Sequence, residues 1–92
     1  MTDAELLAQG GGFYTDLKTF PDGKRALVAR FAFTCAILYD LDAWGYADRW
    51  CYHTHADAVR ALAEWDGTGE PTEWHRHPAT GRRYDKDGKL YV

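Results

Sequence analysis

The sequence predicts an α+β domain: an antiparallel β-sheet of three or more strands covered by one main α-helix, with a short N-terminal helix and a basic, hairpin-like C-terminal tail. Three observations carry this. Apolar residues recur at every second position from Leu27 to Leu41, the period of a strand. A single long stretch, His55 to Trp65, places apolar residues at helical spacing. The strands are grouped instead of alternating with helices, which favours antiparallel pairing over βαβ units. With 92 residues there is room for one domain, 1–92. Four Trp, six Tyr and four Phe supply enough ring area for a core, so disorder is excluded as the native state.

Each element has a local cause. Thr2 followed by Glu5 fits a capping box, and Gly10-Gly11-Gly12 stops the helix after about two turns. Phe13 to Phe20 reads as a first strand, with Phe13, Thr15, Leu17 and Thr19 on one face. Pro21-Asp22-Gly23 is a hairpin signal, because Gly accepts positive φ without steric cost. The return strand begins at Lys24. Its odd positions, Leu27, Ala29, Phe31, Phe33, Cys35, Ile37, Tyr39 and Leu41, form the expected core face. Running unbroken, it would span about 50 Å, so a bend or a tight break near Phe33–Ala36 is expected. A turn over 42–47 leads to a third strand, Asp48 to His53, with Trp50 and Tyr52 opposite Arg49 and Cys51. Thr54 with Asp57 opens the main helix, expected over His55–Trp65 with Gly67 as its C-cap. Val59, Leu62 and Trp65 are expected to pack on Phe31, Phe33 and Ile37. Trp74–His77 and Arg82–Tyr84 are short extended pieces around a turn at Pro78–Gly81, and Lys89–Val92 is the tail.

Eleven Lys and Arg against fourteen Asp and Glu give a net charge of −3, which disfavours a general nucleic-acid coat protein. The charge is segregated. Residues 24–34 carry +3 and 74–92 carry +3, whereas 35–73 carry −6, two Arg against eight acids. Such blocks serve either as solvated surface or as steering surface for a partner. Cys35 and Cys51 are expected to be free thiols. The acidic N-terminus lacks the apolar region of a secretory signal, and no apolar run approaches the ~18 residues of a membrane span. The expectation is a soluble protein of the cytoplasm.

Catalysis finds little support. The chain has no Ser, and Cys51 beside His53 lies in an apolar strand, where burial makes a thiol inert. The triple glycine has no following Lys-Ser/Thr and is not a phosphate loop. Cys51, His53, His75 and His77 include zinc-ligand types, but no ligand spacing is present, and the better reading is His53 and His55 as polar residues at a strand-to-helix corner and Cys51 as an ordinary buried thiol. No cofactor is expected. Two surface groups remain. One is acidic and aromatic: Asp40, Asp42, Trp44, Tyr46 and Asp48, extended by Glu64, Asp66, Glu70 and Glu73. The other is basic: Trp74, Arg76, Arg82, Arg83 and Lys89, the composition that interfaces favour.

Three stretches, GGGFYTDLKTF (10–20), DRWCY (48–52) and EWDGTGEPTEWHRHPATGRR (64–83), resemble small uncharacterised proteins carried by bacteriophages and prophages. The resemblance brings no catalytic residues. It implies an accessory protein of a mobile element acting inside an infected bacterial cell, and small acidic proteins of that origin are often inhibitors of host defence, anti-CRISPR proteins among them. The expected function is therefore a non-enzymatic inhibitor, monomeric or a small homo-oligomer. It would bind a host CRISPR effector complex through the acidic group and, like a DNA mimic, compete for a basic nucleic-acid-binding surface. The alternative is a small nucleic-acid-binding module in which Arg76, Arg82, Arg83 and Lys89 contact phosphates and Trp74 stacks on a base.

Overall fold

A computed structural model describes residues 2–32, 34–42, 45–84 and 89–91. The elements are α1 (Asp3–Ala8), β1 (Tyr14–Thr19), β2 (Arg25–Arg30), β3 (Cys35–Tyr39), β4 (Asp48–Tyr52), α2 (His55–Glu64), β5 (Arg76–His77), β6 (Arg82–Tyr84) and β7 (Leu90–Tyr91). The seven strands form one antiparallel sheet whose spatial order is the chain order, β1 to β7. The class is α+β, and no helix among the described residues is long and apolar enough to cross a membrane.

Both helix starts follow their sequence signals. Thr2 and Glu5 close a reciprocal capping box, and the Thr54 hydroxyl accepts the Asp57 N–H at 3.1 Å. Leu6 is fully buried, which docks a helix too short to persist alone.

The apolar run from Leu27 to Leu41 is not one strand but a hairpin, reversing between Arg30 and Cys35, with the Phe31 N–H bonded to the Thr34 carbonyl at 2.8 Å. This corrects the expectation of a single odd-numbered core face. Ala26 pairs with Tyr39, Val28 with Ile37 and Arg30 with Cys35, so even residues of β2 share a face with odd residues of β3. On that face Ala26, Val28, Ile37, Trp50 and Tyr52 pack under Ala58, Ala61, Leu62 and Trp65 of α2 and its end. The opposite face holds Leu27, Ala29, Ala36, Leu38 and Cys51 with Leu6 and Leu41. Both faces of β2 and β3 are buried, which is why their sequence lacks polar alternation. Of the residues expected beneath α2, Ile37 is there. Phe31 is 43% exposed and shares the other face, and Phe33 lies outside the described residues.

A β-bulge between Thr15 and Lys18, with Asp16 at φ 58°, breaks the alternation expected along β1. Leu17 packs with the α1 layer, while Thr15 and Lys18 reach the α2 side. The Lys18 ammonium donates to the carbonyls of Leu62 (3.0 Å), Ala63 (3.3 Å) and Trp65. A cation thus caps the negative end of α2 from another strand. The helix ends at Glu64, and Trp65 is its extended C-cap (φ −83°, ψ 135°), so Gly67 is not the cap that was expected. Gly67 instead takes φ +90° against the Phe20 ring, where an added Cβ would lie 2.7 Å from a ring carbon.

Candidate functional site

Strand register decides which candidate residues meet. Lys18 and Thr19 lie beside Ala26 and Arg25, Ala26 beside Tyr39, and Tyr39 beside Asp48. The β1–β2 turn and the β3–β4 loop are therefore at the same end of the sheet. The end of α2 joins them, because the Trp65 ring contacts Phe20 at 5.2 Å and Tyr39 at 5.0 Å between centroids. This brings Asp40, Asp42, Glu64 and Asp66, with Asp22 of the turn, to one end. Asp42, Glu64 and Asp66 are exposed and Asp40 is half-buried. Tyr46 is 45% exposed and lines a shallow depression with Asp40, Asp42, Gly45 and Ala47. The loop is held by reciprocal backbone bonds between Asp42 and Gly45, the shorter 2.9 Å. Asp40 takes the left-handed conformation (φ 57°) that Asp tolerates better than most residues. The Thr68 hydroxyl and N–H hold the Asp66 carboxyl below its ordinary range, so it stays ionised. Trp44 lies outside the described residues.

Three of the nine expected partner-binding residues have structural work instead. Asp48 accepts from Nε2 of His77 at 2.6 Å. His77, 4% exposed, stacks on Trp50 at 5.4 Å. Arg82 can only donate, and its guanidinium lies 3.2 Å from Nδ1 of His77, so Nδ1 accepts and Nε2 carries the proton toward Asp48. The Thr80 hydroxyl completes the network at 2.7 Å from Nδ1 and pins the turn between β5 and β6. Glu70 binds the Arg82 guanidinium and accepts the Trp50 indole N–H at 3.1 Å. Arg82 first, then Trp50, keeps its carboxyl below the usual range. Glu73 pairs with Arg60 at 3.1 Å. Nothing in the sequence marked His77 as an anchor except its place just before a Pro-Ala-Thr-Gly turn, where a Thr hydroxyl commonly folds back.

The basic group is also divided. Trp74 is 3% exposed, with Tyr84 at 4.7 Å and the Arg82 guanidinium at 5.2 Å from its ring. The expectation that it stacks on a base is corrected: its faces are occupied by the fold. Arg82 is committed to Glu70. Arg76, Arg83 and Lys89 are exposed.

The Cys and His residues do not converge. Cys35 and Cys51 are free thiols on opposite faces, since Cys35 pairs with Tyr52 and Ala36 with Cys51. His53 and His75 stack nearly parallel, 3.9 Å between centroids and 14° apart, an arrangement that does not point two nitrogens at one ion. Among the described residues no three potential ligands form a metal-binding group. Burial first, then the neighbouring His53 and Arg76, lowers the His75 pKa from 6.5. Burial and then Glu73 raise that of Tyr52, whose hydroxyl donates to the Thr72 carbonyl at 2.8 Å.

No protein-family model matches the chain, and no curated protein and no solved structure matches it either.

Proposed function

We propose that the protein is a non-enzymatic inhibitor that docks its acidic end on a basic, nucleic-acid-binding surface of a host CRISPR effector complex. The observation that supports this is the gathering of carboxylates from three separate segments, around Asp22, Asp40–Asp42 and Glu64–Asp66, at one end of the sheet beside an exposed Tyr46. Of the basic residues nearby, Lys24 lies over the Tyr39 ring and Arg49 over the Phe31 ring. Lys18 caps α2, and Arg82 binds Glu70. An acidic end of this kind is attracted to surfaces built to hold DNA or RNA, and Tyr46 supplies the amphipathic ring that anchors such contacts. The resemblance to phage-borne proteins selects the effector complex among basic partners.

The test is capture of purified CRISPR effector complexes on the immobilised protein, followed by target-DNA binding by the captured complex. A complex should be retained and should lose target binding. The Asp42→Lys, Glu64→Lys double variant should be captured at least about tenfold less well while melting as the parent does. Retention of no complex, or undiminished capture by the variant, overturns the reading.

A further inference from the structure

We infer that the side chains projecting from β4 to β6 on the sheet face opposite α2, bordered by Phe31, form a docking surface for single-stranded nucleic acid. This goes beyond the acidic-end reading and uses a different surface. The register defines the face. Ala29, Ala36, Cys51, Arg76 and Arg83 form one row across the sheet, because Ala29 pairs with Ala36, Ala36 with Cys51, Cys51 with Arg76 and Arg76 with Arg83. Arg49, two residues from Cys51, shares the face. The short helix α1 packs on β1 and over Leu27, Leu38 and Leu41, toward the other edge.

Three features favour a polyanion carrying flat bases. First, no strand position of this face from β3 to β6 is acidic, while Arg49, Arg76 and Arg83 are all on it. Second, Arg49 and Arg76 form no ion pair among the described residues, whereas Arg25, Arg60 and Arg82 each do. Arg76 lies 3.8 Å from the Cys51 thiol and Arg49 lies 5.9 Å from the Phe31 ring, so both guanidiniums are laid along the sheet without being neutralised. Third, flat rings border the arginines. Phe31 is 43% exposed, and His53, exposed, is already stacked on His75. Ala36 and Cys51, the small residues of the row between them, are themselves buried, and the accessible surface is made by the arginines and rings. Arginines that take phosphates beside rings that take bases are the two requirements for holding a single strand. A duplex hides its base faces and offers such a surface only phosphates.

Fluorescence anisotropy with labelled oligo(dT) and oligo(U) at low salt tests this. The two oligomers separate DNA from RNA. Affinity should fall with salt, with a logarithmic slope of about −1.4 for the two phosphates taken by Arg49 and Arg76. Arg49→Gln or Arg76→Gln should reduce that slope by about 0.7. Phe31→Ala should weaken binding about tenfold, the scale of one lost base stack. The Asp42→Lys, Glu64→Lys variant should bind the oligomers at least as well as the parent, which keeps failure of this surface distinct from failure of the acidic end. Absence of a complex at low salt, equal affinity for duplex and single strand, or arginine variants that bind with the parent's salt slope would each overturn the assignment.

Discussion

Lys18 belongs to the edge strand, yet its ammonium donates to carbonyls at the C-terminal end of α2, where the helix runs out of its own N–H donors. Alternation along β1 would give Lys18 to the same face as Tyr14 and Asp16. The bulge at Asp16 re-aims it, and a bulge of one residue leaves no composition signal. Lys18→Met keeps the stem and removes the donors. It should cost about 1–3 kcal/mol, seen as a lower urea midpoint with an unchanged slope. His75 gives a pH dependence of definite sign. Its folded pKa lies below 6.5, so the unfolded chain binds the proton more readily. The stability that depends on the neutral ring is complete above about pH 6.5 and declines as pH falls through the folded value. Melting temperature should therefore rise between about pH 5 and about pH 7, and His75→Gln should flatten that rise. A rise of the same size in the variant would mean another group controls it.

At the scale of elements, the capping patterns at Thr2 and Thr54 were legible because a cap is decided within four residues. So were β4, with Trp50 and Tyr52 opposite Cys51, and the turn between β5 and β6. Of the β2–β3 hairpin, the interruption was legible from the length of the apolar run, but the reversal of direction was not. Its turn at 31–34 contains none of the Gly, Asn or Pro residues that usually mark one, and strands buried on both faces lose the alternation that would show a change of direction. The site followed the same logic. Charge segregation was visible, but the partners of Asp48, Glu70 and Glu73 are long-range and leave no local trace. The packing of α2 is tested at Trp65, whose ring meets Phe20, Tyr39 and Trp50 within 5.4 Å. Trp65→Ala should cost about 3–5 kcal/mol, a large part of the ~5–10 kcal/mol expected of so small a domain. A variant melting with the parent would mean that α2 is not held to the sheet by this ring.

The described molecule is a three-layer arrangement over β1 to β3, with α2 and α1 on opposite faces. Its charges divide accordingly: carboxylates at the end formed by the β1–β2 turn and β3–β4 loop, arginines on the face that α1 leaves open. The two proposed surfaces therefore do not share residues, and each variant set reads one of them.

Because the strands lie in chain order, no strand has to be inserted between two that are already paired. A chain emerging from the ribosome can add each strand to the one made just before it. Most pairings are then local, with the small loop-closure cost that speeds folding. The one long excursion is through α2, between β4 and β5. The topology thus permits assembly from one edge to the other, like a folded ruler closing link by link, with the arginine-bearing strands last in chain order.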